Sequence, residues 1–197
     1  MALLNRPRST TRSVWSLCPL PLALTAIFLI PVGCRGVSHT TEVLPLQSQA
    51  ATPFSLIPSQ SRQPAPDLNL TDIAGANLNL SAYRGKLVLL DFWAVDCGGC
   101  VTEIPWYVEF DKKYHDKGLQ LIGIDMYGES PAYIKPFMRK AHMDYPVAVG
   151  NDDIGKRFHA DQLPKTMLID RQGRIAVAYV GIVDQAKFEE DIEELLK

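Results

Sequence analysis

The feature that most constrains this chain is an apolar run that ends in two cysteines two residues apart. Leu87 to Phe92 is continuously apolar except for Asp91, which predicts a strand buried on both faces of a sheet. Trp93-Ala94-Val95-Asp96 leads from it into Cys97-Gly98-Gly99-Cys100. A helix is expected to begin at the cysteines and run to about His115, where Lys117-Gly118 ends it. Cys97 then lies at a helix start, where free N–H groups and the helix dipole favour a thiolate. Cys100 lies one turn on, on the same face, placed to attack a mixed disulfide formed at Cys97. A ring that small opens and closes without unfolding a domain.

Two structural readings compete with redox chemistry. One is half of a zinc site, but zinc takes four ligands and there is no second C-x-x-C. His39, His115, His142 and His159 form no His-x-x-x-His pair either, so no metal is expected. The other is a static disulfide, which the strand-then-helix setting disfavours. The remaining cysteines, Cys18 and Cys34, sit in a separate N-terminal apolar segment. The expected cofactor is none beyond the Cys97–Cys100 dithiol itself.

Around this motif the chain from residue 65 to 197 reads as one α/β domain. Leu68 and Leu70, then Leu78 and Leu80, alternate with polar residues about a turn at 72–77, which predicts a β-hairpin. Arg84-Gly85-Lys86 is a loop and Leu119 to Ile124 a second buried strand. Pro131 opens a helix carrying Ile134, Phe137 and Met138. Thr166–Ile169 and Ile175–Tyr179 are strands joined by the tight turn Arg171-Gln172-Gly173. Phe188, Ile192, Leu195 and Leu196 recur at helical spacing in a closing helix from Asp184. The order strand, helix, strand, helix, strand, strand, helix implies a mixed central sheet flanked by helices.

Ahead of the domain, Arg6, Arg8 and Arg12 precede an apolar run from Val14 to Gly33 that ends at Cys34. That is the layout of an export signal. Pro19, Pro21 and Pro31 count against a membrane-spanning helix. Val32-Gly33-Cys34 is similar to the end of a bacterial lipoprotein signal, although Pro31 stands where that pattern prefers Leu. A cleaved signal and an uncleaved anchor stay open beside lipidation at Cys34, and all three require export. Residues 35–64 are rich in Ser, Thr, Gln and Pro and read as a flexible tether. A net charge of −2 with no basic stripe argues against a nucleic-acid partner.

Several segments together resemble the exported, membrane-tethered TlpA/ResA-type thiol–disulfide oxidoreductases of the thioredoxin superfamily. They are 64–68 with 80–86, Phe92-Trp93-Ala94, Cys100 to Pro105 with Glu103, and Leu163-Pro164-Lys165 to Asp170, followed by Gly173 and Val180-Gly181. The resemblance implies a thioredoxin fold with an N-terminal β-hairpin extension. It implies a cis Pro164 that presents Leu163 beside Cys97 to an added substrate strand. It also implies that Asp91, beneath Cys100, and Glu103 handle that thiol's proton. Trp93 either lines the site or belongs to the core, and Trp106, Tyr107 and Phe110 read as helix packing. The implied partners are protein disulfides and a membrane thiol-reductase as electron donor, with the chain acting as a monomer on the periplasmic face of a bacterial membrane. Apocytochrome c, a periplasmic enzyme and a pool of misoxidised proteins are all open as substrates.

Two residues depart from the family pattern. Asp96 stands where a large group usually precedes the first cysteine. Its carboxylate disfavours the Cys97 thiolate, or it caps the helix instead, and both push toward a reductant. Gly99 replaces the proline of thioredoxin and restores an N–H that favours the thiolate, pushing toward an oxidant. With Asp91 and Glu103 nearby the balance tips to reductant. Rival functions are weaker. A peroxiredoxin would carry Thr and Pro where Ala94 and Leu90 stand, and a Sco-type copper carrier would have three residues between its cysteines and a ligand His, for which only His159 lies near the proline loop. A non-enzymatic module with a structural disulfide is the third rival.

Overall fold

The computed structural model describes residues 54–197. These fall in the second of the chain's two compact units, Ser48–Lys197. The export signal, Cys34 and the tether up to residue 53 lie outside the described residues.

A hairpin of β1 (Asn69–Thr71) and β2 (Asn77–Asn79) opens the domain. The Asp72 side chain builds its turn by accepting from the N–H groups of Ala74 and Ala76 at 2.9 and 2.8 Å. There follow β3 (Leu87–Trp93), α1 (Gly98–Tyr114), β4 (Leu119–Asp125), α2 (Pro131–Ala141), β5 (Val147–Val149), α3 (Asp152–Phe158), β6 (Lys165–Ile169), β7 (Ile175–Val180) and α4 (Gln185–Leu196). The main sheet has the order β5-β4-β3-β6-β7. Its β3–β4–β5 half is parallel and its β3–β6–β7 half antiparallel, as the final hairpin requires.

The central strand β3 is buried along its whole length, which is why its sequence is continuous rather than alternating. Leu87, Leu89 and Trp93 pack with residues of α1, α2 and α4, among them Ile104, Tyr107, Ile134, Phe188 and Ile192. Val88, Leu90 and Phe92 pack on the other face with Leu68, Leu78, Ile154 and Phe158. Strand alternation therefore puts Asp91 on the α1 face, under the helix that begins at the cysteines.

Two elements were not expected. The strand β5 has three residues, and the seven-residue α3 contains Gly155, so neither leaves a periodic signal. The helix is instead set by its ends. Asn151 caps it by accepting from the Ile154 N–H at 2.9 Å, and His159 closes it at φ 52°.

Both edges of the sheet are covered. The hairpin turn crosses β5, with the Ile73 N–H on the Val147 carbonyl at 2.8 Å. On the other side, residues 54–64 are a folded strap, a correction to the reading of 35–64 as tether throughout. The Ile57 N–H donates to Ala176 O, Ile175 N–H to Gln63 O and Ala65 N–H to Gly173 O, at 2.8, 2.8 and 3.0 Å. Phe54 packs edge-on to Tyr179 with ring centroids 5.5 Å apart, and Arg62 reaches Asp170 at 3.2 Å. Apolar residues at 54, 56 and 57, too few to show a period, hold the strap against an exposed strand edge that would otherwise invite pairing.

Candidate active site

Where β3 ends, the chain turns once and enters α1, and the turn holds the two cysteines. They form a disulfide with S–S 2.04 Å and Cα–Cα 5.3 Å. Cys97 is the N-cap of α1, half-buried, and its sulfur accepts from the Cys100 N–H at 3.2 Å. A backbone donor at a helix start therefore already points at the sulfur that would carry charge after reduction. Cys100 is 1% exposed. One sulfur faces solvent and the other the core, the asymmetry that lets Cys97 meet a partner and Cys100 resolve the product.

The loop before β6 closes over this turn. The Leu163–Pro164 peptide is cis. A Cβ on Gly99 would lie 3.0 Å from Pro164 Cδ and 3.4 Å from Ile182 Cγ1, so glycine is what allows the proline loop to approach the disulfide so closely. Leu163 is partly exposed, and among the described residues neither its N–H nor its C=O is taken by a backbone hydrogen bond. Beside it lies a groove of ≈ 540 Å³ whose lining includes Met126, Tyr127, Ala160 and His159. His159 is exposed on this groove.

On the α1 face of the sheet the structure brings two buried acids within electrostatic reach of each other. Glu103 lies one turn after Cys100 in α1. Its Oε1 accepts from the Val183 N–H at 3.1 Å and its Oε2 from the Tyr107 hydroxyl at 3.0 Å. The Tyr107 hydroxyl also meets Thr166 Oγ1 at 2.8 Å. Asp91 is buried, and neither of its carboxyl oxygens has a hydrogen-bond partner among the described residues. Burial pushes the Asp91 carboxyl well above the usual carboxylate range and the Glu103 charge adds to it; the nearby Thr166 hydroxyl offsets only part. Burial also raises the Glu103 carboxyl, against the opposing bonds from Val183 and Tyr107. Two acids side by side in an apolar layer hold their protons to higher pH than free carboxylic acids do.

Two sequence expectations are corrected. Trp93 does not line the site: it is 0% exposed and packs on Phe137 at 5.4 Å between centroids, because its place on β3 points it inward. Asp96 does not cap α1. The cap is the Cys97 sulfur, and the Asp96 carboxylate instead accepts from the Tyr133 hydroxyl, at 3.3 and 3.4 Å to its two oxygens.

Some neighbours of the site left no signal in the sequence. Tyr107 reads as packing, yet its hydroxyl ties Glu103 to Thr166. Glu129 lies 34 residues beyond Val95, and its Oε2 accepts from the Val95 N–H at 3.2 Å in the turn before the cysteines. The Glu129 N–H in turn donates to Asp125 Oδ2 at 2.8 Å. Only the parallel pairing of β3 with β4, which sets Trp93 opposite Asp125, brings these residues to the turn. The exposed large apolar residues of the described chain are Val101, Tyr127, Tyr133, Val180 and Ile182. Each adjoins the site: Val101 follows Cys100, Ile182 touches the Gly99 position, Val180 pairs with Lys165, Tyr133 bonds Asp96 and Tyr127 lines the groove at Leu163. An apolar rim around a redox disulfide is a surface that binds other proteins.

Comparison with known proteins agrees with this geometry. The AhpC/TSA family matches residues 61–178. The thiol-disulfide oxidoreductase ResA of Bacillus thuringiensis subsp. konkukian is 34% identical over 134 residues, 68% of this chain and 75% of that protein. ResA of Geobacillus kaustophilus is 30% identical over 132 residues, 66% of this chain and 75% of the relative. A solved Chlorobium tepidum structure, titled as a thiol:disulfide interchange protein DsbE, superposes with TM-score 0.65 at 28% identity, covering 73% of this chain and all 100% of the other. These likenesses establish the thioredoxin-like fold and thiol–disulfide oxidoreductase activity expected from the motifs. The chain belongs to the AhpC/TSA family, among its ResA-type thiol–disulfide oxidoreductases.

Proposed function

We propose that this protein is a reductant of protein disulfides that works outside the cytoplasm, held at a membrane by its N-terminal segment. The observation that carries the direction is the acid-rich setting of the disulfide: Asp96 beside Cys97, and Asp91 and Glu103 in the layer beneath Cys100. A carboxylate beside a thiol disfavours its thiolate, as Asp96 does at Cys97, and the two buried carboxyls add to this wherever they release the protons that burial holds; the dithiol is then easier to oxidise and the protein a better electron donor. No Lys or Arg is ion-paired with any of these three carboxyls among the described residues to cancel the effect.

In the reduced protein the Cys97 thiolate attacks a substrate disulfide, and the departing substrate sulfur takes up a proton. The mixed disulfide leaves Cys97 bound to the substrate. Cys100 then loses its proton to Asp91 or Glu103 and attacks the Cys97 sulfur, releasing the second substrate thiol. Leu163 and Pro164 hold the substrate backbone as an added strand during both steps. A membrane dithiol donor restores the reduced form. Export and attachment rest on Arg6, Arg8, Arg12, the apolar run and Cys34. Among the described residues no helix is long and apolar enough to cross a membrane.

The test is a pair of single substitutions assayed on a disulfide-bonded protein with excess dithiothreitol. Cys97→Ser is expected to abolish turnover. Cys100→Ser is expected to stop at a mixed disulfide between Cys97 and the substrate, visible as a covalent adduct on a non-reducing gel. Turnover that survives Cys97→Ser would overturn the scheme.

A further inference from the structure

The rim of the site has two unlike sides. Val101, Val180 and Ile182 make one side aliphatic. The other side carries carboxylates and tyrosines. Asp96 directly precedes Cys97, so its Cα lies about 3.8 Å from the Cα of the attacking cysteine. Glu129 is tied to the same turn through the Val95 N–H at 3.2 Å, and Asp125 lies behind it through the Glu129 N–H at 2.8 Å. Asp125 is buried, and its Oδ1 has no partner among the described residues. The carboxyls of Asp125 and Asp96 both act on Glu129. Among the described residues no lysine or arginine is ion-paired with Asp96 or Glu129. Tyr133, 48% exposed, steadies Asp96 through its hydroxyl, and Tyr127, 62% exposed and two residues before Glu129, lines the groove at Leu163. Exposed phenol faces beside carboxylates without a basic partner are the chemistry that recognises an ammonium or guanidinium group.

We propose that Asp96 and Glu129, with Tyr127 and Tyr133, select substrates that carry a lysine or arginine next to the cysteine they present to Cys97. This rests on the reading of the protein as a reductant of protein disulfides. The substrate cysteine sits over Cys97, its backbone follows Leu163, and the basic side chain reaches the carboxylates while an apolar neighbour covers Ile182. The groups act on recognition and take no part in the transfer. Two electrons pass from the Cys97–Cys100 dithiol to the substrate disulfide. The substrate leaves as two thiols, the protein ends as the disulfide, and dithiothreitol recharges it in the assay.

The experiment compares three short peptides with one internal disulfide, carrying Lys, Gln or Glu beside each cysteine, reduced by the full chain under excess dithiothreitol with the uncatalysed rate subtracted. The Lys peptide is expected to be reduced about five to ten times faster than the Glu peptide at low salt, the size two screened surface charges support. That ratio should fall toward one in about 1 M salt, where charges more than roughly 3 Å apart are screened. Glu129→Gln and Asp96→Asn should each lower the ratio. The ratio is the readout because Asp96→Asn also changes the reactivity of Cys97, which acts equally on all three peptides. Reduction of the Gln peptide with a Lys-to-Glu ratio near one would overturn the proposal and leave the reductase reading standing. A ratio that both substitutions leave unchanged would overturn the assignment to these residues. Failure to reduce any of the three peptides would overturn the reductase reading, and the proposal with it.

Discussion

The Tyr107 hydroxyl holds the buried site together: it joins Glu103 on α1 to Thr166 on β6 through bonds of 3.0 and 2.8 Å. Tyr107→Phe leaves two buried polar groups without that partner and should cost about 1–3 kcal/mol of stability, read as a lower urea midpoint at unchanged m-value. Glu103→Gln keeps the shape and removes the proposed proton acceptor. It should slow the resolution of the mixed disulfide at Cys100 by about ten- to a hundred-fold while leaving the first attack by Cys97 less affected, which single-turnover quenching separates. At this scale the sequence is partly legible. Cys97 and Cys100 are local to one helix start, so the motif alone brings them together, while Asp91 and Glu103 join them through the family resemblance. Tyr107 looks like packing because its ring is packing, against Phe110 and Phe188, and only its hydroxyl is not. Asp125 and Glu129 carry no motif, and a strand pairing decides where they lie.

Among the elements, the contact of β3 with α1 is where burial and proton binding meet. Asp91 and Glu103 both hold their protons above the ordinary carboxylate range in the folded protein, burial being the main cause in each. The unfolded chain releases those protons at ordinary values. The folded state therefore binds more protons across the window from the ordinary range up to the raised values, and stability falls as pH rises through that window. Urea midpoints of the oxidised protein should decline from mildly acidic to neutral pH. Asp91→Asn should raise the neutral-pH midpoint and flatten the decline; a midpoint that rises with pH in the parent protein would contradict the burial argument. The elements themselves are readable where they are long. β3, α1, β4 and α4 have continuous or periodic apolar patterns, whereas β5 and α3 are short and fixed by an asparagine cap and by pairing to β4.

For the whole molecule, the strap of residues 54–64 changes where the domain begins. Its backbone bonds to Ile175 and Ala176 and the partial burial of Phe54, Leu56 and Ile57 should be worth on the order of 2–4 kcal/mol. A chain starting at Ala65 is expected to melt lower than one starting at Phe54 and to self-associate through the bared β7 edge, which light scattering would report. Composition hides the strap, since its Ser, Gln and Pro content is that of a linker. The central claim is that the acids around the disulfide make the protein a donor of electrons. Its most direct test is the reduction potential of the Cys97–Cys100 pair, measured by equilibration in thiol buffers. The expected result lies toward the thioredoxin end of the scale, about −270 mV, and a value near that of the oxidant DsbA, about −120 mV, would contradict it.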